Sequence, residues 1–142
     1  MSDKPILVIA SRFNDMVTRA LLAGAEDTLN KGGASDFRTV WVPGAFEIPA
    51  VASKAAHSDK YSAIVCLGAV IKGSTPHFDY VAGQCASGLM KVSIDTQTPI
   101  IFGVLTTNTV EEALNRSGLK LGNKGAEAAS TALEMIATLK EI

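Results

Sequence analysis

The sequence predicts an α/β domain, a three-layer α/β/α sandwich around a four-stranded parallel sheet. Two observations carry this. Four apolar, β-forming runs recur along the chain, and each is followed by a loop and a stretch of helical character. Crossovers of that length join parallel strands, run right-handed, and leave helices on both faces of the sheet. At 142 residues the chain fits a single domain, residues 1–142, and one of that size buries roughly two thirds of its unfolded surface.

Ile6 to Ala10 (ILVIA) is an uninterrupted apolar strand. From Asp15 to about Lys31, Val17, Leu21, Ala25 and Leu29 recur every fourth residue and the run stops at Gly32-Gly33, which predicts a helix. Phe37 to Val42 (FRTVWV) is rich in strand formers and ends at Pro43-Gly44. Ile48 to Ala56 reads as a short helix, with Pro49 tolerable only in its first turn. A third strand runs from Ala63 to about Val70. With Thr75 as N-cap and Pro76 at the first helical position, a helix follows from Pro76 to about Thr96. Ile100 to Leu105 is the fourth strand. A short helix from Val110 to Arg116, a glycine-rich loop (SGLKLGNKG) and a helix from about Ala126 to Leu139 complete the chain.

Composition narrows the function. The 13 basic residues nearly balance the 14 acidic ones, which argues against nonspecific nucleic-acid binding. No stretch approaches the roughly 20 apolar residues needed to cross a bilayer. The start MSDKP lacks a basic-then-apolar leader, so a cytoplasmic protein is expected. Cys66 and Cys85 have no CxxC spacing and read as reduced, structural residues.

In parallel sheets ligands bind outside the carboxyl ends of the strands, so the loops that begin at Ser11, Pro43, Ala69 and Thr106 carry the functional question. The first, SRFN, has no glycine, which excludes the dinucleotide fingerprint. Phe13 either stacks on a planar heterocycle or folds back onto the core; taken alone, the residue favours the second. Glu47, in PGAFEIP, either accepts from ligand hydroxyls or offsets a helix dipole, worth about 0.3 to 1 kcal/mol, and alone it favours the dipole role. GAVIKGST nearly matches a Walker loop, but Lys72 precedes the second glycine and the intervening residues are strand formers. What remains is a phosphate-friendly helix start at Gly73, Ser74 and Thr75, compatible with simple capping. His77 follows in the first turn, and imidazole is the side chain that trades protons near neutrality. His57 reads as a solvated helix-end residue. Arg116, Lys120 and Lys124, among Gly118, Gly122 and Gly125, form a solvated basic loop by default. Folded toward Gly73 to Thr75, that loop would supply a phosphate's counter-charge, with Arg116 binding bidentately.

In order, SRFN, PGAFEIP, GAVIKGSTPHFDYV, FGVLTTNT and GNKG resemble the lumazine synthase family over nearly the whole chain. The resemblance implies a flavodoxin-like arrangement of the sheet. It also implies condensation of 5-amino-6-(D-ribitylamino)uracil with 3,4-dihydroxy-2-butanone 4-phosphate, with no metal or organic cofactor. It places Phe13 on the pyrimidine, Ala45, Phe46 and Glu47 on the uracil and ribityl chain, and Ala69, Val70 and Ile71 on the ring through backbone groups. Ser74, Thr75 and Arg116 would bind phosphate with Lys124 adding nearby charge, and His77 would be the general acid/base. Phe102 would reach into a neighbouring subunit's site, which implies a homo-oligomer, a pentamer or a multiple of it. A riboflavin synthase is a candidate partner.

Lys72 stands where arginine is frequent in the family, Asn108 where an acid is, and Glu112 where glutamine is; none removes a proposed catalytic group. Many relatives carry a strand before Ile6 where this sequence has MSDKP, so a pentamer or pair of pentamers is expected rather than a sixty-subunit shell. A flavin- or lumazine-storage module would dispense with His77 and the phosphate cluster. A flavodoxin-like electron carrier would need a hydroxyl-rich first loop. The enzyme is the reading that uses all of these residues.

Overall fold

A computed structural model describes residues 4–34, 36–73 and 77–142. Its elements are β1 (Ile6–Ser11), α1 (Asp15–Lys31), β2 (Phe37–Val42), a 3₁₀ turn (Ala45–Glu47), α2 (Ile48–His57), β3 (Ala63–Ile71), α3 (His77–Thr96), β4 (Ile100–Thr107), α4 (Val110–Asn115) and α5 (Lys124–Lys140). The strands pair in parallel in the order β2-β1-β3-β4, the flavodoxin-like arrangement. The chain steps outward from β1 to β2, then returns past β1 to β3 and β4. That reversal puts the topological switch point between β1 and β3.

Helices cover both faces, which is why the strands read as continuous apolar runs and do not alternate. Ile6 and Val8 enter a core with Val17, Leu21, Ala25 and Leu29 of α1 and Ala129 and Ala132 of α5. Leu7 and Ile9, pointing the other way, meet Ile48 and Ala52 of α2 and Cys85, Leu89 and Val92 of α3. Each large apolar side chain so buried contributes about 1.5–3 kcal/mol. Two glycines set the approach of α5. A Cβ on Gly125 would overlap the Leu21 backbone, and one on Gly103 would lie 3.0 Å from Ala128 Cβ.

The element boundaries differ from the expected ones for local reasons. β3 and β4 run on to Ile71 and Thr107 because they pair with each other to that point. α5 starts at Lys124, ahead of Ala126, because the Asn123 side chain accepts from the N–H groups of Gly125 at 2.8 Å and Ala126 at 3.1 Å. Thr109 and Glu112 form a capping box on α4. The expected N-cap Thr75 and Pro76 lie outside the described residues.

β1 pairs with β3 only as far as Ala10 opposite Leu67. β3 continues four residues further, to Ile71, held on its other side by β4. Ala69 to Ile71 therefore present a backbone edge with no strand beside it, at the switch point.

Candidate active site

The open edge of β3 forms one wall of a cavity of about 490 Å³, a volume typical of small-molecule sites. Phe13, Ala45, Phe46, Glu47, Ala69, Val70, Ile71, Gly73 and His77 all line it. Its lining comes from four separate parts of the sequence, and the strand order explains their meeting. β1 and β3 are neighbours at the switch point, β2 flanks β1, and α3 starts beside the end of β3.

Phe13 does not fold back onto the core. Arg12 N–H donates to the Val42 carbonyl at 2.8 Å and Phe13 N–H to the Pro43 carbonyl at 3.0 Å. These bonds tie the first loop to the second and leave the Phe13 ring 71% exposed over the cavity. In the second loop, buried Ala45 anchors the 3₁₀ turn while Phe46 stays 56% exposed. Glu47 lies at the N-terminus of α2 but makes no side-chain capping bond. Among the described residues its carboxylate has neither a hydrogen bond nor an ion pair. The cavity-lining carboxylate is thus free to accept from a ligand. Asn14, which sequence reasoning passed over, donates its side-chain N–H to the Ala69 carbonyl at 2.9 Å and joins the first loop to β3. His77 is exposed as the first residue of α3 and lines the cavity with Phe78 and Val81. His77 and Val81 lie one helical turn apart, a spacing visible in the sequence.

A second concavity, of about 400 Å³, lies along β4 and the starts of α4 and α5. Phe102, Thr106, Asn108, Glu112, Arg116 and Lys124 line it, and it shares no lining residue with the first. Arg116 Nη1 lies 4.0 Å from Glu112 Oε2, and Lys124 Nζ lies 3.9 Å from Glu127 Oε1. Both pairs are long and solvated, so they hold the cations weakly. Among the described residues, Arg116 and Lys124 are grouped with Phe102 and not with Gly73 and His77. Arg116 and Lys124, at the two ends of the basic loop, lie beside β4 of their own chain, and Asn123 ties the loop to the Ala20 carbonyl of α1 at 3.0 Å. Ser74 and Thr75, expected on phosphate, lie outside the described residues.

Cys66, Cys85 and His57 line neither concavity. Cys66 and Cys85 are buried in the core beneath α2 and α3, where desolvation raises both thiols, Cys85 to about 11. His57 is exposed at the end of α2 with Nδ1 2.7 Å from the Ser53 carbonyl. Among the described residues no three His, Cys, Asp or Glu side chains gather as a metal site requires, and no helix is long and apolar enough to cross a membrane.

A cavity at the switch point of an open parallel sheet, with an imidazole beside a free backbone edge, defines an α/β enzyme that works on small molecules. Residues 3–140 match the family model described as 6,7-dimethyl-8-ribityllumazine synthase. The chain is 52% identical over 138 residues to the 6,7-dimethyl-8-ribityllumazine synthase of Protochlamydia amoebophila (strain UWE25), covering 96% of this chain and 80% of that protein. The chain therefore belongs to the 6,7-dimethyl-8-ribityllumazine synthase family, transferases of riboflavin biosynthesis.

Proposed function

We propose that the chain condenses 5-amino-6-(D-ribitylamino)uracil with 3,4-dihydroxy-2-butanone 4-phosphate in sites that two copies complete together. The observation that carries this is the separation of the expected site residues into two concavities with no common wall. Phe13, Ala45, Phe46, Glu47, Ala69, Val70 and Ile71 make a ring-and-hydroxyl half with His77. Phe102, Arg116 and Lys124 make an aromatic, cationic half. In a closed ring of identical copies, a head-to-tail contact brings one half of each copy against the other half of its neighbour.

In this reading the pyrimidine lies under Phe13 with its edge on β3, and Glu47 accepts from the ribityl hydroxyls. The amine attacks the ketone and loses water to give a Schiff base. Phosphate then leaves by elimination, and ring closure with loss of a second water forms the product. No step changes oxidation state overall, so the residues need only move protons and hold charge. His77 assists the transfers. Arg116 from the neighbour, with Lys124 beside it and with Ser74 and Thr75, which precede His77 in the sequence, stabilises the departing phosphate. Holding two reactants together supplies much of the remaining acceleration.

Exposed apolar surface supports assembly into a pentamer or a multiple of it. Tyr80, Met90 and Ile94 are exposed on α3 opposite its buried Cys85, Leu89 and Val92. With Gly83 and Ser87 they form one stripe at helical spacing. Leu119 and Leu121 are also exposed beside the cationic half. A cytoplasmic setting and a riboflavin synthase that takes the product belong to the same reading. Mixing the purified protein with both substrates should generate lumazine fluorescence. A visible flavin spectrum without turnover would instead indicate a storage module or electron carrier.

A further inference from the structure

We propose that Asn14 is a positioning residue of the ring subsite, whose side-chain amide closes the Ala69 carbonyl and leaves Ile71 as the backbone group that reads the ligand ring. The proposal rests on the function proposed above. Asn14 sits at the N-cap of α1, where asparagine ordinarily accepts from the first-turn N–H groups. Here its side chain makes no capping bond, and its backbone is left-handed, at φ 64° and ψ 44°. Both the usual gain of a cap and a relaxed backbone are given up, a pattern that clusters at functional sites. The amide goes instead to Ala69, 55 positions along the chain, at 2.9 Å.

Strand geometry explains the need. Ile64 N–H donates to the Pro99 carbonyl and Lys72 N–H to the Thr107 carbonyl, each at 2.9 Å, so even residues of β3 turn toward β4. Alternation turns Ala69 and Ile71 toward β1. Past Leu67, β1 no longer pairs with β3, and Phe13 N–H is already spent on Pro43. Without Asn14 the Ala69 carbonyl would be a bare acceptor on the cavity wall. The amide supplies the missing rung, and the next outward-turned residue, Ile71, meets no β1 residue. A planar ligand thus finds the Ile71 N–H and carbonyl as its hydrogen-bonding pair. Phe13, one residue before Asn14, lines the same cavity.

The test measures steady-state kinetics for each substrate, plus an equilibrium titration with the pyrimidine substrate alone, on the wild type, Asn14→Gly and Asn14→Asp. Glycine keeps the left-handed backbone without strain. Aspartate keeps the shape but has no donor when ionised. Both variants should weaken pyrimidine binding and raise its KM about tenfold or more, with the KM of the ketose phosphate little changed. Lowering the pH so that the carboxyl can donate should recover pyrimidine binding in Asn14→Asp but not in Asn14→Gly. Unchanged pyrimidine binding in either folded variant, or equal rises in both KM values, would overturn the role of Asn14. A wild type that binds the pyrimidine but turns nothing over would overturn the function reading alone, because the titration still decides the role of Asn14.

Discussion

Replacing Glu47 by alanine separates a residue that binds ligand from one that caps a helix. The carboxylate is exposed, makes no capping bond, and has no hydrogen-bonding or ionic partner among the described residues. A Cβ on Gly44 would lie 3.2 Å from Glu47 Oε1. The fold therefore loses only the interaction of the charge with the start of α2, about 0.3 to 1 kcal/mol. A hydrogen bond from a ligand hydroxyl to a carboxylate contributes about 1.5–3 kcal/mol. The KM for the pyrimidine substrate should accordingly rise about tenfold to a hundredfold in Glu47→Ala. Glu47→Gln, which keeps a neutral acceptor, should fall between. Lumazine fluorescence at saturating ketose phosphate gives the KM, and urea melts give the stability. A stability loss well above 1 kcal/mol with an unchanged pyrimidine KM would refute the reasoning and restore Glu47 to a structural role.

Arg116→Ala should raise the KM of the ketose phosphate about tenfold or more, with Arg116→Lys recovering part, because lysine keeps the charge but not the bidentate fork; an unchanged KM would remove Arg116 from the phosphate site. His77→Ala should lower kcat by about 10², the low end of general acid–base contributions, and leave measurable turnover; an unchanged kcat would remove the imidazole from the mechanism. The buried thiols should resist a thiol reagent until the protein unfolds, and fast labelling of native protein would contradict their burial. Both are raised from 9.0, Cys85 to about 11 and Cys66 further. Their contribution to stability is therefore intact below pH 9 and lost as pH rises through 11 and beyond. Cys85→Ala should shrink that alkaline loss, and an identical profile in the variant would refute the assignment.

The sheet and its helices were legible because buried parallel strands and amphipathic helices write different periods into the chain. Val17, Leu21, Ala25 and Leu29 are all buried, as their spacing requires. The strand order was not read from the spacing, since loop lengths do not say on which side of β1 the third strand returns. Two side-chain fates were also invisible. Phe13 and Glu47 each admitted a structural and a functional role; the backbone bonds of the first loop hold Phe13 away from the core, while Glu47 sits at the start of α2 without a capping bond, so both its roles stay open. The grouping of Arg116 and Lys124 apart from Gly73 and His77 was not legible either. The spacing of Arg116 and Lys124 does not say whether they fold toward Gly73, and they line a concavity along β4 instead. Asn14 carried one usable signal, since asparagine tolerates the left-handed backbone better than most residues, but its partner Ala69 could be known only from the fold.

Two copies sharing each site is tested most directly by co-expression of two crippled chains. A Glu47→Ala/His77→Ala chain keeps the cationic half intact, and an Arg116→Ala chain keeps the ring-side half intact. Mixed at equal amounts in one assembly, about a quarter of the contacts should join two intact halves. With the ketose phosphate held well below its KM, activity should then rise to about a quarter of the wild-type value, well above the mean of the two variants measured separately. Activity no higher than that mean, in assemblies shown to contain both chains, would contradict a shared site and place the whole reaction within one copy.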